Sequence, residues 1–240
     1  MDGKEFLKKA FPQQFEKDEK EIIEELEKIG VKPQQTEKPK PNDEELKKLN
    51  QQLLKAAEKG TLEKVKEALE KGANVNTKNN NGDTPLHRAS RNGQTKTAEL
   101  LINKGANPNT QSNNGNTPLH WASWLGHAKT AELLINKGAK PNTQDNYGWT
   151  PLHWASENGQ TKTAELLINK GANVNTKNNK GDTPLHLASK NEKTETTKLL
   201  VEKGANPNTQ NNKGDTPLDL TKNEEVKNIL KKEIEKRGLK

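Results

Sequence analysis

The stretch that decides the fold reads Thr84-Pro85-Leu86-His87, and it recurs unchanged at residues 117–120, 150–153 and 183–186. A fifth copy at residues 216–219 ends in Asp219 instead of histidine. Each copy begins 33 residues after the previous one. A fixed period of this length indicates a solenoid, in which one supersecondary unit is stacked on its neighbours. Because solenoids present surfaces rather than enclosed pockets, we expect the function of this chain to lie on its surface.

The composition, taken without the repeat, would indicate disorder. Of the 240 residues only 28% are hydrophobic and 30% are charged, and the mean hydropathy is −1.17. A solenoid tolerates this composition, because each repeat needs only a thin apolar stripe. The absence of cysteine excludes disulfides and thiolate metal sites. No apolar run approaches the roughly 18–20 residues of a membrane span, and residues 1–10 lack the apolar stretch of a secretory signal.

One repeat can be followed through residues 79–111. A polar turn at residues 79–83 leads to Thr84, a suitable helix N-cap, and to Pro85 at the first helical position. The pattern predicts a short helix over residues 85–91 and a second helix over about residues 95–104. Gly105 is expected to end the second helix in the left-handed conformation.

This pattern resembles the ankyrin repeat in its Thr-Pro-Leu-His motif, in Ala89, Gly93 and Gly105, and in their spacing. The resemblance covers about residues 43–236 and implies an all-α solenoid of helix-turn-helix units joined by β-turn loops. The predicted units are an N-terminal capping repeat (43–78), four full repeats (79–111, 112–144, 145–177 and 178–210), a C-terminal capping repeat (211–236) and a tail (237–240). In the fourth repeat Glu192 replaces the glycine of the others, which predicts a strained or reshaped turn.

The N-terminal segment stands outside the repeats. Residues 1–30 are acidic and contain all three phenylalanines, which together with other apolar residues form a narrow stripe on a predicted helix. Residues 31–42 are rich in Pro, Lys and Gln and indicate an extended linker. Several alternatives stay open: a second docking element, a self-association helix, a helix folded back on the solenoid, and a disordered tail.

The ankyrin resemblance implies protein–protein recognition, with no catalytic residues, metal or cofactor. The histidines of the repeated motif occur once per repeat, and we expect them to hydrogen-bond between one repeat and the next. Same-type positions lie about 10 Å apart in packed helices, which is too far to share a metal ion.

The aromatic residues are the exception to the repeat pattern. All four Trp and the only Tyr lie within residues 121–154. The positions of Trp124, Leu125, Tyr147 and Trp149 are polar or charged in the other repeats, so we expect these four residues to contact a partner. Trp121 and Trp154 correspond to Arg88 and Leu187, and for them packing between helices and partner contact are equal alternatives. Arg88 and Arg91 are expected to extend the same groove.

The sequence therefore predicts a non-enzymatic, monomeric adaptor or scaffold in the cytoplasm that binds a partner protein. One alternative is nucleic-acid binding through the net charge of +7 and the exposed aromatics, although lysines interleaved with glutamates disfavour it. Another is self-assembly through residues 1–30, whose acidic stripe disfavours membrane binding. The Lys- and Asn-rich repeats resemble proteins of AT-rich genomes, and intracellular bacteria are one such source. This composition suggests an effector delivered into a host cell.

Overall fold

The structure is a computed structural model that describes residues 41–238. Within that range it contains eleven α-helices and no β-strand, which confirms the all-α solenoid. The predicted helix over residues 1–30, most of the linker and residues 239–240 lie outside the described residues. The helices are α1 (Asp43–Lys59), α2 (Leu62–Glu70), α3 (Pro85–Arg91), α4 (Thr95–Asn103), α5 (Pro118–Trp124), α6 (Ala128–Asn136), α7 (Pro151–Glu157), α8 (Thr161–Asn169), α9 (Pro184–Lys190), α10 (Thr194–Glu202) and α11 (Glu224–Lys236).

The helices form two layers. The short helices α3, α5, α7 and α9 pack on one another in chain order, and the longer helices α4, α6, α8 and α10 form the second layer behind them. The core is a stripe of small and branched side chains, and in the first full repeat Leu86, Ala89, Ala98 and Leu101 are completely buried. Each later full repeat buries a leucine and an alanine at the corresponding inner positions. This thin core explains how so polar a chain folds.

The histidine of each motif fixes the start of its own helix and bonds to the next repeat. Nδ1 of His87 accepts a hydrogen bond from the backbone N–H of Thr84 at 3.1 Å. Because Nδ1 is therefore unprotonated, Nε2 carries the proton and donates it to the carbonyl of Asn116 at 2.9 Å. His120, His153 and His186 repeat the arrangement. The predicted scaffold role of these histidines is confirmed.

Asparagine ladders join the repeats at two places. Nδ2 of Asn142 donates to the carbonyl of Gly171 at 2.9 Å, and its Oδ1 accepts from the backbone N–H of Asn173 at 2.8 Å. At the turns, Nδ2 of Asn146 donates to the carbonyl of Asn113 at 2.9 Å, one repeat earlier. Equivalent asparagines in the other repeats make the same bonds. Much of the high asparagine content thus has a structural role.

The turn of the fourth repeat is strained and not reshaped. Glu192 has a φ of 56° and is the only non-glycine residue with positive φ among residues 41–238. The glycines at the same position, Gly93, Gly126 and Gly159, have φ values of 65°, 73° and 68°. The stacking of the repeats therefore imposes the left-handed conformation even where a side chain opposes it.

Candidate functional site

The four tryptophans of the chain form one continuous cluster. Trp121 and Trp124 lie on α5, Trp149 lies in the turn before α7, and Trp154 lies on α7. The ring of Trp154 is central, with centroids 5.5 Å from Trp124, 5.8 Å from Trp149 and 6.1 Å from Trp121. The rings meet edge-to-face or tilted, which is the favourable geometry for aromatic pairs. All four side chains keep part of their surface exposed to solvent.

For Trp121 and Trp154 the sequence left two alternatives open, packing between helices and contact with a partner. Both pack against neighbouring rings, and both stay partly exposed, so packing and contact with a partner are compatible. Leu125 is 41% exposed at the end of α5, and Tyr147 is 63% exposed in the turn. Tyr147 makes no ring contact with any residue in the described part of the chain. Its ring is therefore not one of the mutually contacting rings of the cluster.

The two arginines are placed differently. The guanidinium carbon of Arg91 lies 4.8 Å from the ring centroid of Trp121, which is cation–π geometry. Arg88 instead lies 3.7 Å from a carboxylate oxygen of Asp83 and 3.6 Å from one of Glu58. We therefore define the tryptophan surface as Trp121, Trp124, Trp149 and Trp154 together with Arg91, Leu125 and Tyr147. Arg88 lies beside this surface and is already engaged by two acids.

Asp145 holds the turn that carries Trp149. One carboxylate oxygen accepts hydrogen bonds from the backbone N–H groups of Tyr147 and Trp149, at 2.8 and 2.9 Å. The other oxygen accepts from Nε1 of Trp154 at 3.2 Å. Asp145 was not among the predicted site residues. The sequence nevertheless sets it apart, because the same position holds asparagine or serine in the other repeats: Asn79, Ser112, Asn178 and Asn211.

Trp121, the counterpart of Trp154 in the second repeat, lacks this bond. Its Nε1 is buried and has no hydrogen-bond partner. The residue at the position of Asp145 is Ser112, whose side chain makes no hydrogen bond with any residue of the described range. A buried donor without an acceptor destabilises a fold by about 1–3 kcal/mol.

Trp149 removes a hydrogen bond from the scaffold. In the next repeat pair, Nδ2 of Asn211 donates to the carboxylate of Asp182 at 2.7 Å, 29 residues earlier. The equivalent donor one repeat back is Nδ2 of Asn178, and the residue 29 positions before it is Trp149. Nδ2 of Asn178 is buried and has no partner. The aromatic side chain therefore occupies a position at which the following repeat pair uses an acceptor.

Opposite charges flank the cluster. Arg91, Trp124 and Glu157 occupy the same position in three successive repeats. Burial raises the pKa of the Glu157 carboxyl, and the smaller opposing effects come from Lys190 and Lys180. Glu157 forms no hydrogen bond or ion pair within residues 41–238.

The described residues contain neither a metal-binding cluster nor a membrane-spanning helix. No group of three or more His, Asp or Glu side chains in this range could hold a metal ion. None of the described helices combines the length and the apolar character that crossing a bilayer requires.

Comparison with known families agrees with the geometry of the repeats. A family model of ankyrin repeats in three copies matches residues 53–145. A second model, of ankyrin repeats in many copies, matches residues 125–168 and 152–201. A comparison with curated proteins finds no match for the chain.

Proposed function

Because this chain belongs to the ankyrin repeat family, whose repeats are generally protein–protein interaction modules, we propose that it binds a partner protein through its tryptophan surface. The surface combines large aromatic groups with a rigid support on α5 and α7. Tryptophan and tyrosine are enriched among the interface residues that contribute most to binding. Because the rings already hold one another in place, little conformational freedom is lost when a partner binds.

The observation that carries the proposal is the unmet hydrogen bond beside Trp149. A scaffold selected for stability alone would keep a polar side chain here, as it does at Asp83, Asn116 and Asp182. Instead, Trp149 leaves Nδ2 of Asn178 buried without an acceptor. Positions at which a sequence departs from its own structural rules are expected to be functional sites. A role in binding accounts for an aromatic group that the fold does not need.

A protein partner fits the charge distribution better than a nucleic acid does. Arg88 is paired with acids, and Glu157 adds a negative charge beside the rings, so acidic groups interrupt the cations Arg91, Lys180 and Lys190 near the aromatic groups. Binding of single-stranded nucleic acid would require a continuous basic stripe along the backbone path. An effector role, suggested by Lys and Asn usage, loses much of its support because the asparagine ladders serve the scaffold.

The test replaces Trp149 by asparagine, which is the residue that the second repeat carries at this position. An asparagine can accept the hydrogen bond from Asn178, whereas an aspartate would add a carboxylate next to Asp145. Peptides selected from a random twelve-residue display library on the wild-type protein provide the probe. We expect Trp149→Asn to weaken their binding by about 2 kcal/mol or more, roughly thirtyfold in affinity. The free energy of unfolding should change by less than about 1 kcal/mol.

The matched control is Asp215→Asn, the same position in the C-terminal capping repeat, which should leave peptide binding unchanged. Unfolding is followed by circular dichroism in urea, and binding by calorimetry. If Trp149→Asn unfolds the protein readily while the folded fraction binds as before, the ring is a packing group and the proposal is wrong.

A further inference from the structure

Two charged side chains at the edges of the tryptophan surface have no partner of opposite charge. They are Arg91 and Glu157, which flank Trp124 at the same position of successive repeats. Neither forms an ion pair with any residue between 41 and 238. The two charges are opposite in sign, so one end of the surface is positive and the other end is negative.

Arg91 is oriented to receive a carboxylate. Its guanidinium carbon lies over the ring of Trp121, 4.8 Å from the centroid, and its N–H groups donate to no residue of the described range. The nearby acids Glu58 and Asp83 are both within ion-pair distance of Arg88. A planar guanidinium with free N–H groups is well suited to a bidentate bond with a carboxylate.

Glu157 offers the opposite chemistry. It lies one helical turn after Trp154 on α7 and is half-buried. Its carboxylate accepts no hydrogen bond from the described residues. Lys180 and Lys190 act on it electrostatically, but neither forms an ion pair with it. A carboxylate in this state retains its full capacity to accept hydrogen bonds from a cation.

We infer that the occupant of the tryptophan surface is an extended peptide segment with an acidic side chain at Arg91 and a basic side chain at Glu157, with apolar residues between them. This inference rests on the proposed function. Inner helices of neighbouring repeats pack about 10 Å apart, so the backbones that carry the two charges are about 20 Å apart. An extended chain rises about 3.3 Å per residue, which places the acidic and basic side chains about six residues apart.

The experiment exchanges the two charges in one variant, Arg91→Glu with Glu157→Arg, which preserves the net charge. The repeats themselves carry Arg, Trp, Glu and Lys at this position, so the fold is expected to accept the exchange. Peptides are selected from the twelve-residue library on the wild-type protein, and a consensus peptide and its charge-exchanged counterpart are synthesised. Binding is followed by tryptophan fluorescence, which reports on this surface alone because all four Trp lie in it.

We expect the selected peptides to share an acidic and a basic residue about six positions apart. An exposed charge pair is worth up to about 1 kcal/mol, or fivefold. Because the exchange removes two such pairs, the exchanged protein should bind the consensus peptide up to about 25-fold more weakly and prefer the charge-exchanged peptide by a similar factor. The neutral variant Arg91→Gln with Glu157→Gln should bind both peptides equally. It replaces the exchanged protein in this test if that protein is poorly folded.

The outcomes separate this inference from the function on which it rests. Peptides that require Trp149 but carry no charge pattern, or that bind the exchanged protein unchanged, overturn the inference and leave the function standing. A library that yields no peptide dependent on Trp149 overturns both.

Discussion

Replacing Ser112 by aspartate should stabilise the protein, because the second repeat lacks the hydrogen bonds that Asp145 makes in the third. In the first, third and fourth full repeats and in the C-terminal capping repeat, the side chain at this position accepts two backbone N–H groups of its own turn. In the second repeat, the backbone N–H groups of Asn114 and Asn116 have no such side-chain oxygen to which they can donate. Nε1 of Trp121 is likewise without an acceptor.

The expected gain can be worked out from these three donors. Each hydrogen bond in the turn contributes about 0.5–1.5 kcal/mol, and satisfying the buried indole N–H removes a penalty of about 1–3 kcal/mol. Partial desolvation of the new carboxylate opposes this gain, and so does its repulsion by the buried carboxylate of Asp83, which lies 29 residues earlier, as Asp182 lies before Asn211. We expect a net stabilisation of about 1–2 kcal/mol, with a rise in Tm of about 2–4 °C for each kcal/mol in a chain of this size.

The assay is a double-mutant cycle with Ser112→Asp, Trp121→Leu and the pair, measured by urea unfolding. Leucine is chosen because the fourth repeat has Leu187 in place of Trp121. In the Trp121→Leu background, Ser112→Asp should still gain the stability that comes from the two turn hydrogen bonds. It should lose the part that comes from the indole bond, which is a coupling energy of about 1 kcal/mol between positions 112 and 121. Ser112→Asn is the matched control, since it rebuilds the turn as Asn79 does. An asparagine at this position can also donate to Asp83, as Asn211 donates to Asp182, so the deciding quantity is the coupling with Trp121→Leu. If that coupling is no larger for Ser112→Asp than for Ser112→Asn, the indole bond does not form.

Two further predictions concern the scaffold. Glu192→Gly should raise the free energy of unfolding by about 0.5–1 kcal/mol, because the residue at this position has φ of 56°; an equal gain from Glu192→Ala in urea unfolding would contradict this explanation. The second prediction is acid sensitivity, because burial lowers the pKa of His120 and of His153 to about 4. A histidine in the unfolded chain has a pKa of about 6.5. Between about pH 6.5 and pH 4 the unfolded chain therefore binds more protons than the folded protein does. The free energy of unfolding then falls as the pH falls, by up to about 1.4 kcal/mol per pH unit for each histidine. Urea unfolding between pH 4.5 and 8 should show this slope, and His153→Gln should reduce it; an unchanged slope in that variant would show that other groups cause it.

The scaffold could be predicted from the sequence because its signals are local and repeated. The helix predicted over residues 85–91 is the helix observed, Pro85–Arg91, since Thr84 and His87 form a cap within four residues. The glycines likewise predicted the left-handed turns from local sequence. Comparison with the glycines at the equivalent positions identified Glu192 as the exception among the full repeats. Each of these features depends on residues close together in the chain.

The tryptophan surface could be predicted only in part. Comparison of equivalent positions identified the residues that depart from the repeat, but not which of them touch. Trp124 reaches Trp154 across 30 residues, and Asn211 reaches Asp182 across 29. These offsets depend on how one repeat is rotated and shifted on the next. The central place of Trp154 and the role of Asp145 therefore became visible only in the structure.

The departures from the repeat are coupled to one another. Asp145 replaces an asparagine and thereby provides the acceptor for Trp154, but it has no N–H to offer to the buried Oδ1 of Asn116, which is without a partner. Trp149 adds a ring to the cluster and deprives Asn178 of its acceptor. Trp149 thus leaves a donor of the following repeat without an acceptor, and Asp145, which serves Trp154, leaves an acceptor of the preceding repeat without a donor. Trp149, Asp145 and Trp154 cannot be moved to another repeat one residue at a time, because each depends on hydrogen bonds that the others or a neighbouring repeat provide.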